Sequence, residues 1–61
     1  MKNFIEVPYD GKVILINVNN ISVVAISTEE TSIHLVGGDF FKVVNTNLSY
    51  KEVKALIEAA Q

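Results

Sequence analysis

Short apolar runs alternate with polar punctuation along the whole chain, and each run has the length of a strand. The first covers residues 4–7, Phe-Ile-Glu-Val, all but one of them β-favouring. Pro8 has no amide hydrogen, so it either ends that strand or lies on an edge. Asp10-Gly11 follows between two apolar runs. Both residue types tolerate positive φ, so the pair predicts a tight hairpin turn. The second strand spans residues 12–17. Val13 and Leu15 take one face and Ile14 and Ile16 the other.

Asn17-Val18-Asn19-Asn20 interrupts the pattern. Asparagine side chains bond nearby backbone, so a turn or one helical turn is expected. A third strand over 21–27 is apolar on both faces, Ile21, Val23 and Ala25 against Val24 and Ile26. Such a strand is usually covered on both sides. Ser27-Thr28-Glu29-Glu30 makes the next turn. The fourth strand, 31–36, directs Ile33 and Leu35 inward and Ser32 and His34 outward. Gly37-Gly38-Asp39 reverses the chain. A fifth strand over 40–44 sets Phe41 and Val43 against Phe40, Lys42 and Val44, with Phe41 expected on the helix-covered face.

The period then changes. Ser49-Tyr50-Lys51-Glu52 matches a capping box, in which serine and glutamate satisfy each other's backbone amides. Tyr50, Val53, Leu56, Ile57 and Ala60 recur at helical spacing, so a helix is expected over 49–60. Alone it would be marginal in water and must dock on the sheet. The reading is a mainly β (α+β) fold. It has about five antiparallel strands in a meander or small barrel, with one C-terminal helix in a single domain over 1–61.

One helix shelters one face. The two apolar sets on the strands cannot both lie beneath it. Either the sheet curls into a barrel, or the second face meets another subunit, most simply in a twofold dimer. Size points the same way. In a domain of 61 residues, burial and ordering entropy nearly cancel. With no cysteine there is no disulfide or thiolate metal site. A partner subunit is the remaining device, so a homo-oligomer, dimer or higher, is expected.

Charge narrows the partners. Five lysines and no arginine, at net charge −2, argue against nucleic acid. No apolar run is long enough to span a membrane. The N-terminus lacks a signal-peptide core, which makes the cytoplasm the expected location. Candidate chemistry is sparse. His34 is the one histidine, a residue type suited to general-base work, but no nucleophile or orienting carboxylate stands at a telling spacing. Asp10, Glu29, Glu30 and Asp39 fall in expected turns, which are wet and do not make the buried carboxylate pair that acid–base work needs. Val36-Gly37-Gly38-Asp39 resembles part of a phosphate loop, yet no helix follows it, and a hairpin accounts for its glycines. The reading is therefore a non-enzymatic binding module with no cofactor, no metal and no catalytic residue. Tyr9, Lys12, His34, Phe40 and Lys42 are the candidate ligand-binding residues, the aromatics for stacking and the lysines for anions. One alternative is an oligomeric protein that sequesters a signalling nucleotide, of the phage-encoded kind. Another is a nucleic-acid regulator. A ligand-dependent rise in melting temperature would favour the former, and steep salt dependence the latter.

Asp10-Gly11-Lys12, the stretch Ile16-Asn17-Val18-Asn19-Asn20-Ile21, the run from Thr31 to Gly38 and Tyr50-Lys51-Glu52-Val53 together resemble the small flagellar FlbD family. The resemblance spans most of the chain and implies a small non-enzymatic accessory protein. It departs where the family has Pro-Asp-Thr and this chain has Glu29-Glu30-Thr31. Residues 16–35 and the closing helix also resemble the β-rich half of LytTR DNA-binding domains. The architecture alone is similar to the carbon storage regulators, dimers of five strands and a helix that bind RNA.

Overall fold

A computed structural model describes residues 2–37 and 42–61. Five antiparallel strands lie in two sheets. β1 (Phe4–Tyr9) pairs with β2 (Lys12–Asn17), and β3 (Ile21–Ile26), β4 (Thr31–Leu35) and β5 (Val43–Thr46) pair in that order. A single turn of 3-10 helix, Val18–Asn20, joins the sheets, and α1 (Tyr50–Ala60) ends the chain. This is the expected mainly β fold with a C-terminal helix. The meander is divided at the asparagine turn, and no closed barrel forms among the described residues.

Local chemistry explains most of the boundaries. Asp10 and Gly11 both have positive φ, 51° and 76°, and Tyr9 stands opposite Lys12, so the two-residue hairpin forms as its sequence predicts. Asn17 Oδ1 accepts from the Asn19 amide at 2.9 Å and caps the 3-10 turn. Ser49 and Glu52 make both halves of the capping box, at 3.0 and 2.9 Å. Asn3, at φ 69°, ties three elements together. Its amide donates to the Ala60 carbonyl at 2.7 Å, and its carbonyl accepts from the Val18 amide at 2.8 Å.

Both sheets share one core. Ile5, Val7 and Ile16 from the hairpin meet Ile33 and Val44 from the three-stranded sheet, and Val53 and Ala60 of α1 close it. The inward set is thus the one that contains Ile14, Ile16, Val24 and Val44. Val43 lies on the outside, so the face expected to carry it beneath the helix is the uncovered one. Phe40 and Phe41 lie outside the described residues.

Of the two places allowed for Pro8, the structure has the edge, and two other expectations are corrected. β1 continues through Pro8 to Tyr9, because Pro8 sits on the edge away from β2. Its carbonyl accepts from Thr46 Oγ1 at 2.8 Å. Among the described residues β5 is Val43–Thr46; of the strand expected over 40–44, residues 40 and 41 lie outside them, and the strand runs on past Val44. Asn45 pairs opposite Ser32, and Thr46 is buried with its hydroxyl on Pro8, so polar residues complete a strand that hydropathy ended early. In β3 a bulge between Ile21 and Val23 breaks the two-residue period. Ile21 therefore packs on the core like Val24, while Val23 points outward. β3 is apolar on both faces, yet one is uncovered and the other is covered at Ile21 and Val24 but not at Ile26, which is 67 % exposed.

Candidate interaction surface

β1 and β5 come close but do not form a ladder. A residue's amide and carbonyl leave a strand on the same edge. Pro8 presents only a carbonyl to β5, and the Thr46 hydroxyl takes it. The missing donor prevents a ladder at this point, and the sheets stay separate there.

The candidate ligand residues fall into two groups. Tyr9 and Lys12 face each other at the hairpin tip. They line an open cleft of about 430 Å³ with Glu30, Asn45 and Asn47. Tyr9 also packs against the core, which leaves Lys12 as the exposed member. His34 and Lys42 sit at the opposite end of β5. His34 stands opposite Val43, and the Lys42 carbonyl accepts from the Leu35 amide at 2.9 Å. From Lys42 to Asn47 is five residues of extended chain, roughly 16 Å. Within one chain the four residues do not converge. Phe40, the fifth, is outside the described residues. Among the described residues no group of three or more histidines or carboxylates is placed to hold a metal ion.

The more coherent feature is the outer face of the three-stranded sheet. Val23, His34 and Val43 form one cross-strand row, and Ala25, Ser32 and Asn45 the next. Ser32 Oγ donates to Asn45 Oδ1 at 2.8 Å, so this polar pair satisfies itself. Val23 is 53 % and Val43 43 % exposed, on either side of the half-buried His34. Among the described residues these two rows hold no lysine, aspartate or glutamate, although a fifth of the chain is charged.

The hairpin leaves a second apolar area. Val13 is 67 % and Leu15 49 % exposed on the face opposite Ile14 and Ile16. Leu15 borders a trough of about 520 Å³ between the hairpin and α1, with Phe4, Glu6, Leu56 and Ala59. Hydropathy alone did not single out Val13, Leu15, Val23 and Val43. The available signal was their two-residue spacing opposite a set that one helix could cover. No described helix is long and apolar enough to cross a membrane. Searches of protein-family models, curated proteins and solved structures found no match to this chain.

Proposed function

We propose that this chain is a non-enzymatic interaction module that self-associates and offers its remaining surface to a protein or small-molecule partner. The observation that carries the reading is the placement of Val13, Leu15, Val23 and Val43. They are not scattered in loops. They point outward from strands, 43–67 % exposed, on the faces turned away from the core. Apolar residues grouped on an ordered surface mark interaction sites. Depletion of charge, as in the two rows around His34, is the compositional mark of an interface centre.

Size supports the same reading. Among the described residues the buried apolar core consists of eight side chains, several no larger than valine. A domain of this length gains little from a core of that size, and association adds burial without lengthening the chain.

The test is the solution mass by light scattering over a hundredfold range of concentration. The expected result is a mass above 6.7 kDa that falls on dilution. A constant 6.7 kDa at every concentration would contradict the proposal.

A further inference from the structure

The four sheet edges are not equally protected. β1 turns Pro8 toward β5, where the Thr46 hydroxyl occupies its carbonyl. β5 carries that same contact. β3 bears the bulge between Ile21 and Val23. Prolines, bulges and covering contacts are the means by which proteins prevent unwanted strand pairing. The outer edge of β2 has none of them. From Val13 to Ile16 it contains no proline, bulge or charge.

The hairpin register shows which backbone groups lie on that edge. The Pro8 carbonyl points away from β2, so Pro8 and Val13 form a non-hydrogen-bonded pair. Pairs alternate along an antiparallel ladder. Glu6 and Leu15, two positions on, are therefore also a non-hydrogen-bonded pair. The amides and carbonyls of Val13 and Leu15 then point outward from the hairpin. Among the described residues no strand pairs with this edge, and no backbone bond outside the hairpin engages either residue.

We infer that two copies of this chain pair antiparallel along β2, about a twofold axis that passes through Ile14. The inference rests on the self-association proposed above and names its contact. On this axis Val13 of each copy stands opposite Leu15 of the other, and both residues have their backbone groups turned to the partner. The same pairing brings the two exposed apolar residues of β2 side by side on one outer face. It continues the two-stranded sheet into four strands. A second copy suits this edge better than an unrelated strand because the segment is self-complementary. Within residues 13–15 every position meets an apolar one. The two Lys12 ammonium groups fall at opposite ends, about 13 Å apart, beyond the screening length at physiological salt.

The experiment uses the full chain made by chemical synthesis with an N-methyl group on Leu15. This removes one amide hydrogen that the hairpin does not use and leaves the side chain intact. Leu15→Pro is the recombinant counterpart, with Pro8 as its precedent on the neighbouring strand. Sedimentation equilibrium gives the mass, and circular dichroism gives the fold. The expected result is a folded N-methyl chain whose self-association is weakened at least roughly tenfold, while Val23→Glu still pairs like the unmodified chain. An N-methyl chain that self-associates unchanged overturns the inference. If Val23→Glu dissociates at the same time, the sheet face is the contact and the self-association reading stands. An unmodified chain that is monomeric throughout removes both. Loss of the folded spectrum on N-methylation also overturns the inference, because the Leu15 amide would then serve the single chain.

Discussion

The β1–β2 hairpin and the β3–β4–β5 sheet lean on the same core, but different forces specify them. The hairpin is written locally. Asp10-Gly11 sets a two-residue turn, and six successive pairs follow in regular register. Two strands alone are marginal in water, so the hairpin depends on Ile5, Val7 and Ile16 reaching the other sheet. The three-stranded sheet is held by packing. Its register is broken by a bulge, and its buried centre is Ile33 between Val24 and Val44. The difference in specification carries over to the edges. Among the described residues the regular strand β2 has an edge with no strand paired to it, while the irregular strand β3 is protected by its own bulge. Regularity that helps a hairpin fold also makes it a template for pairing.

The largest way to break this comparison is Ile33→Ala. The side chain is fully buried at the centre of the three-stranded sheet. Its truncation is expected to cost about 2–5 kcal/mol. That is a large share of the stability of any small domain, and chemical denaturation would show both sheets lost in one transition. A surviving hairpin signal would mean that the two sheets do not share a core.

Thr46→Val probes the junction between them. It removes the hydroxyl of the buried Thr46 and leaves the Pro8 carbonyl, at a half-buried position, without that partner. A loss of about 1–3 kcal/mol is expected from denaturation. A neutral result would make the β1–β5 approach incidental.

Much of this was legible in the residues. The Asp-Gly hairpin, the asparagine turn, the start of β4 and the Ser49–Glu52 cap all follow from short-range chemistry, and all appear where that chemistry places them. Two features were not legible. The first is the direction of the two-residue period. β2 and β3 are apolar on both faces, so alternation divides the residues into two sets without saying which is inside. Placing Val43 beneath the helix was that choice made the wrong way round. The second is polar residues used structurally. Thr46 and Asn45 read as linker, yet one is buried on Pro8 and the other bonds Ser32. The continuation of β1 through Pro8 was one of the two readings that its missing amide allowed. Of the candidate ligand residues, the register puts Tyr9 beside Lys12 and sets His34 and Lys42 at the far end of β5, a separation that depends on tertiary pairing.

Two smaller substitutions sharpen the contrast. Ser49→Ala removes the helix cap and is expected to cost about 1 kcal/mol. The effect should be felt by both sheets, since α1 packs on β1 and on β3. Gly11→Ala tests the turn alone. A β-carbon there would meet nothing within 4 Å, so only the positive φ of 76° opposes it. About 1 kcal/mol is expected, the same as for Gly37→Ala, where φ is 74° and the space is also open. A much larger loss at Gly11 than at Gly37 would show that the hairpin turn nucleates more than its own two strands. Thermal denaturation of the pair of variants measures the difference.

The account's central claim is that the outer edge of β2 is free in one chain and engaged in two. Amide hydrogen exchange, residue by residue at low and high protein concentration, tests it most directly. The amides of Ile14 and Ile16 point to β1 and should be protected at both concentrations. Those of Val13 and Leu15 should exchange rapidly when dilute and become protected as the chain associates. Exchange at Val13 and Leu15 that does not change with concentration, in a sample whose mass does, would contradict the claim.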